Sequence, residues 1–145
     1  MHFWADYMIG GACWLFPRRV RSTLVTFDRY YHDILADPRR YRYGAPLSWA
    51  RALGRMVPQP DLVFVLDAPA DVILARKQEV PRAEVARQRM AYLRVAKEFR
   101  NAHVIDAAAP LDSVIAAVLR HVIAHLEAGA TARLGIVPAV VRSSR

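Results

Sequence analysis

The stretch DLVFVLDAP, residues 61–69, sets five consecutive apolar residues between two aspartates and closes on a proline. Its branched and aromatic side chains show no polar alternation, so it predicts a strand covered on both faces, as in a parallel sheet. On its carboxyl side, ADVILARKQEV (70–80) predicts a helix opening after Pro69. RAEVARQRMAYLRVAKEF (82–99) predicts a second after Pro81, with Val85, Met90, Leu93 and Phe99 on or near one face. HVIDA (103–107) reads as a short strand. PLDSVIAAVLRHVIAHLEAG (110–129) reads as a closing helix, with Pro110 near its start and Gly129 as its stop.

On the amino side, LSWARALGRMV (47–57) gives an amphipathic helix ended by Pro58 and Pro60, and Pro38 and Gly44 bracket a loop. TLVTF (23–27) is a run of strand-forming residues without alternation, predicting a further buried strand. Residues 2–15 carry apolar side chains near helical spacing, interrupted by Gly10 and Gly11 and stopped by Pro17, so that PRRVRS (17–22) becomes a charged turn. Strands alternating with helices predict an α/β fold with a parallel sheet flanked by helices. In such folds ligands sit at the carboxyl ends of the strands. All three predicted strands end in aspartate: Asp28, Asp67 and Asp106.

The net charge is +8, and 19 of the 21 basic residues are arginine. Guanidinium forks match phosphate oxygens bidentately, so this excess invites a phosphate-bearing partner. A base-composition bias in the gene would produce the same excess, so the positions of the arginines decide. Cys13 is the sole cysteine, which excludes a disulfide framework and a cysteine-based zinc site and fits a reducing cytoplasm. The apolar opening lacks a basic leading region and is shorter than the roughly 20 residues a spanning helix needs, so a core helix is expected there.

Asp28-Arg29-Tyr30 stands where the first predicted strand meets its loop, where an arginine can clamp a phosphoryl oxygen and an aspartate can hold a metal-bound water or orient that arginine. An internal ion pair is the plainer reading. Arg76, Lys77, Arg82, Arg87 and Arg89 form a second basic cluster, which can close over phosphates and neutralise charge as it develops. A solvated helix with Glu79 and Glu84 as partners explains the same pattern. His121 and His125 are four residues apart, but no acid stands between them and no third ligand is evident, so no metal site is expected.

Taken together, TFDRYYHD, PDLVFVLDAPADVILARK, QRMAYLRVA and NAHVIDAAAPLDSV resemble, in the correct order, four motifs of the thymidylate kinases and their relatives among the P-loop nucleoside monophosphate kinases. The resemblance covers roughly residues 1–128 and implies a P-loop kinase-like, three-layer α/β/α domain with a parallel sheet, followed by a flexible tail, 129–145. It implies that Arg29 binds the acceptor monophosphate, with Asp28 and Tyr30 beside it and Arg89 and Tyr92 completing the substrate site. Arg76, Arg82 and Arg87 take the part of the lid arginines that stabilise the migrating phosphoryl group. Ala107, Ala108, Ala109 and Pro110 would flank the adenine of ATP. ATP and Mg²⁺ are the cofactors the resemblance implies for a full-length parent, because chemistry of this type is positioning plus charge neutralisation.

The departures are equally specific. The sequence holds no G-x-x-x-x-G-K-[ST] loop to cradle the donor phosphates. In the family that loop follows a strand lying between those corresponding to residues 23–27 and 61–67, so the sheet is expected to be incomplete, with its first strands and P-loop absent. The expectation is therefore the carboxyl-terminal portion of a longer kinase-like protein beginning at an internal methionine, inactive as a kinase on its own. A complete protein with rewired strands that has lost ATP binding is the alternative. Tyr7 stands where the family has a base-holding arginine, and ADPRRYRYG replaces the family's residues after the triplet, which leaves the acceptor open between thymidylate and other nucleotides or phosphorylated small molecules. A degenerate module holding a phosphorylated ligand through Arg29, Arg39, Arg40 and Arg42 is a second reading. Nucleic-acid binding by the Arg/Tyr loop is a third, disfavoured one. No membrane partner is expected; a homodimer is compatible with this reading.

Overall fold

The computed structural model describes residues 9–10, 13, 15–20, 23–76 and 81–135. Helices α1 (Phe16–Val20), α2 (Asp33–Ala36) and α3 (Leu47–Gly54) precede strand β1 (Val63–Asp67). Helices α4 (Ala70–Arg76) and α5 (Arg82–Ala96), strand β2 (Ala102–Asp106) and helix α6 (Leu111–Leu134) follow. Prolines at 46, 81 and 110 directly precede α3, α5 and α6 with φ between −54° and −58°. Proline's missing N–H costs nothing where a helix has no carbonyl to offer it.

The apolar run that opened the sequence reading is β1. It pairs in parallel with β2 from Val63 opposite Ala102 to Asp67 opposite Asp106, so the two strand-terminal carboxylates stand side by side. Two faces of this ribbon are covered differently. On one, His121 of α6 stacks on His103 with ring centroids 3.8 Å apart, and Phe64 lies beside both rings. On the other, Met90, Leu93, Arg94, Ala96, Lys97, Phe99, Ala102 and Val104 line an open apolar groove of about 370 Å³ between α5 and β2.

The densest packing lies elsewhere, where the Tyr-rich segment after Arg29 meets α3 and α5. Tyr31, Ile34, Leu35, Ala36, Ala50, Val57 and Val95 form its centre, and Tyr30, Tyr41, Tyr43, Ala91, Tyr92 and Phe99 pack around it. Tyr31 is 2% exposed. A Cβ at Gly54 would stand 3.1 Å from the Tyr31 ring, so glycine is what lets α3 end against it.

Four expectations need correction. Residues 23–27 form no strand: the segment is irregular and Leu24 is 65% exposed. A strand is held by hydrogen bonds to a neighbour, and among the described residues no strand pairs with this segment. Phe16–Val20 is helical, not a charged turn: Leu15 before it is already in π-helical conformation, so Pro17 does not stop the helix there. The last helix does not stop at Gly129 but runs to Leu134; Ala128, Ala130 and Ala132 carry it past one glycine, whose cost is about 1 kcal/mol. It ends at Gly135, whose φ of +63° suits the left-handed cap. On α5, Met90 is exposed, and the buried residues are Val85, Val95 and Ala96. The amino-terminal helix read at 2–15 falls largely outside the described residues, as do Lys77 and the tail beyond Gly135.

Candidate functional site

Arg29 has φ +72°, in the left-handed region that an arginine seldom occupies. Strain of this kind persists only when the surroundings over-determine it. Here they do: Tyr30 donates its hydroxyl to the Pro58 carbonyl at 2.7 Å, and Tyr31 donates to the Ala50 carbonyl at 3.3 Å. The two residues after Arg29 are thus anchored at both ring and hydroxyl, which turns Arg29 outward at the start of the turn into α2. Its side chain remains exposed.

Asp33 lies four residues beyond Arg29, in the first turn of α2, and Tyr41 donates its hydroxyl to Asp33 Oδ2 at 3.4 Å. Tyr41 returns to this place because residues 38–43 fold back, with Arg42 N–H donating to Arg39 and Tyr43 N–H to Pro38. Arg42 is itself left-handed, at φ +50°. Burial pushes the Asp33 carboxyl above the usual carboxylate range, although Arg29 and Tyr41 pull it back. Burial also works against charge on Arg29, but Tyr92, Tyr41 and Asp33 together outweigh it and hold the guanidinium firmly protonated. Tyr92, on α5, is pushed up to about 12, first by burial and then by Asp33. Arg29, Asp33, Tyr41 and Tyr92 therefore form one electrostatic cluster: an exposed cation backed by a half-buried carboxyl and two phenols.

The other residues singled out from sequence fall in different places. Asp28 raises the Asp33 pKa from beside the cluster, whereas Tyr30 is committed to Pro58. Arg89 grips Asp67 at the end of β1 through two hydrogen bonds of 2.6 and 2.8 Å, and this holds the Asp67 carboxyl below its usual range. Arg87 pairs with Glu84 on its own helix at 2.6 and 2.8 Å and drags that carboxyl down to about 2. It also reaches Asp37 at 4.0 Å. Arg76 donates to the Ala107 carbonyl at 2.8 Å, joining the end of α4 to the turn after β2. That turn, Ala107 to Pro110, is shaped by Ala107 N–H donating to the Asp67 carbonyl and Ala108 N–H to Asp106 Oδ1. Arg82 opens α5.

Asp33, Asp37 and Tyr41 were not singled out by sequence reasoning. Asp33 stands four residues after Arg29 but across a non-helical turn, and Tyr41 reaches them across a loop, so no periodicity marks either. Asp37, 8% exposed, accepts from Arg40 N–H and from Gln88 on α5, so it pins the same loop to the helix that carries Tyr92.

No family model matches the chain. Individual proteins do. It is 30% identical over 100 residues to a probable thymidylate kinase 1 of Saccharolobus solfataricus, covering 65% of this chain and 51% of that protein. A thymidylate kinase of Xanthomonas campestris pv. campestris is 31% identical over 125 residues, 79% of this chain and 54% of its own length. A probable thymidylate kinase of Pyrococcus abyssi is 28% identical over 118 residues, 74% of this chain and 57% of its own. The chain spans about half the length of the curated relatives it matches.

Proposed function

Because the chain is thymidylate kinase-like over most of its length, we propose that it supplies the acceptor side of a nucleotide kinase, with Arg29 holding the phosphate of a nucleoside monophosphate such as dTMP. The observation that carries this reading is Arg29 itself: an exposed, firmly protonated guanidinium on a strained backbone, following Asp28 at the loop mouth. A cation fixed in advance loses less conformational freedom on meeting a phosphate than one on a mobile loop. Arginine offers two parallel N–H donors to phosphate oxygens, where a lysine offers a point charge.

The donor side is a different matter. ATP and Mg²⁺ are what relatives of this kind imply, but the residues present do not fit them. The sequence has no G-x-x-x-x-G-K-[ST] loop, whose backbone N–H groups would cradle the donor phosphates and whose Ser/Thr hydroxyl would hold the Mg²⁺ bound to them. No step through ATP is therefore assigned to this chain, and phosphoryl transfer by the chain alone is expected to be negligible. Nucleic-acid binding has less support, because the rings of the Arg/Tyr loop are spent inward: the hydroxyls of Tyr30, Tyr31 and Tyr43 bond main-chain carbonyls and that of Tyr41 bonds Asp33.

Thermal unfolding with dTMP and with thymidine tests the proposal. At a concentration about 100 times its Kd, dTMP should stabilise the fold by about 2.7 kcal/mol. Thymidine, lacking the phosphate, should not, and Arg29→Ala should abolish the difference. Equal stabilisation by dTMP and thymidine, or no loss on Arg29→Ala, overturns the reading.

A further inference from the structure

We propose that Tyr41, backed by Asp33, is the positioning residue that aims the Arg29 guanidinium at the acceptor phosphate. The inference deepens the function proposed above and rests on it for the identity of the acceptor.

Arg29 projects from a left-handed backbone position, which sets where its side chain starts but not where its long, flexible end comes to rest. An exposed arginine without a partner spreads over many rotamers, and ordering it costs on the order of 2 kcal/mol. Tyr41 is rigid by comparison, with its ring packed against the buried cluster beneath the site. Its hydroxyl can do two things at once: donate to Asp33 Oδ2, as the 3.4 Å contact shows, and accept from the guanidinium beside it. The order of the relay follows from the donors. Arginine has only N–H groups to give and the carboxylate only lone pairs, so a phenol between them is satisfied on both sides.

This arrangement differs from a direct Arg–Asp ion pair in a way that matters for binding. A bidentate carboxylate would occupy the fork that a phosphate needs, as Asp67 occupies that of Arg89. Tyr41 can take one of the five donors and leaves the rest to an incoming anion. The loop that brings Tyr41 home is fixed independently, by Asp37 accepting from Arg40 N–H and Gln88 and by the 38–43 turn, so its position does not depend on Arg29.

The test combines a binding cycle with a measurement on the free chain. Removing a hydrogen bond to a charged group should weaken dTMP affinity about tenfold in Tyr41→Phe. In an Arg29→Ala background the same change should alter affinity less than about twofold, because a residue acting through Arg29 has nothing left to aim. In the free chain, the order of the Arg29 side chain, read from relaxation of its Nε, should fall in Tyr41→Phe while the thermal midpoint stays near that of the parent. Parent-like affinity in Tyr41→Phe, equal weakening in both backgrounds, or unchanged Arg29 order overturns the inference. Should the parent chain fail to bind dTMP, the proposed function fails on its own, and the relaxation measurement still decides whether Tyr41 holds Arg29.

Discussion

His32 sits under the site with its ring edge-on to Phe99, centroids 4.6 Å apart, and its Nδ1 is buried with no hydrogen-bond partner in the structure. A buried imidazole in this position resists protonation, and burial lowers its pKa below the ordinary 6.5 in spite of Glu98, which works the other way. His103 is lowered too, by burial and by His121 stacked on it. In both cases the unfolded chain binds a proton more readily than the folded one, so stability rises with pH until it passes about 6.5 and is lost as pH falls toward the lowered folded values. Asp33 has the opposite sign: its raised carboxyl favours the fold at low pH and gives that contribution up as pH climbs past its ordinary 3.8. Asp33 thus opposes the two histidines, one group against two. Urea midpoints measured between pH 5 and 7, a span chosen around the ordinary histidine pKa of about 6.5, should therefore increase with pH, and His32→Phe should flatten part of that slope. A parent midpoint that does not change over this range contradicts the assignment. The same residue scale shows why Tyr41 escaped the sequence reading. Arg29 stood out because charge beside an apolar run is visible in one dimension, whereas the Tyr41–Asp33 contact exists only once the 38–43 loop has turned back.

Among the elements, β1 and β2 were legible because each is a short apolar run stopped by an aspartate, a signal that survives without knowledge of any neighbour. Residues 23–27 carry the same signal yet are irregular and exposed, since strand-forming side chains cannot supply the hydrogen bonds of an adjacent strand. Helix α6 shows what a one-face reading leaves out. Val114, Ala117, Val118, His121, Val122, Gly129 and Thr131 are its partly buried positions, but Leu111, Ile115, Leu119, Ile123 and Leu126 form a second apolar stripe, each 46% exposed or more. The helix is 24 residues long and apolar enough to cross a membrane by length and composition, while its one histidine stack docks it on β2. Exposed stripes of this size favour self-association. Ile115→Lys and Leu119→Glu together should change unfolding free energy by no more than about 1 kcal/mol, since each replaces a side chain about half of which already faces water. They should also reduce concentration-dependent light scattering. A loss of several kcal/mol would mean that the stripe is packed in solution.

At the scale of the whole molecule, large apolar side chains of the described residues stand in water in several places: Leu24 and Phe27 on a segment without a strand partner, Leu66 and Val104 on the ribbon, Met90 beside the groove, and the outer stripe of α6. A parallel sheet is stable when both faces and both edges are covered, and a two-stranded one meets that condition poorly. The buried cluster under Arg29 does not share this weakness, because Tyr31, Ile34, Leu35, Ala50, Val57 and Val95 close on one another without using the sheet. Two regions of unequal strength follow. Since the denaturant dependence of unfolding scales with the surface newly exposed, the urea m-value should fall near the low end for small proteins, about 1 kcal/mol/M. Amide exchange should be slowest in α2, α3 and the carboxyl half of α5, and markedly faster in β1 and β2. Should β1 and β2 exchange as slowly as the tyrosine cluster, the ribbon is covered in solution by something the buried cluster does not require, and the two regions are of equal strength.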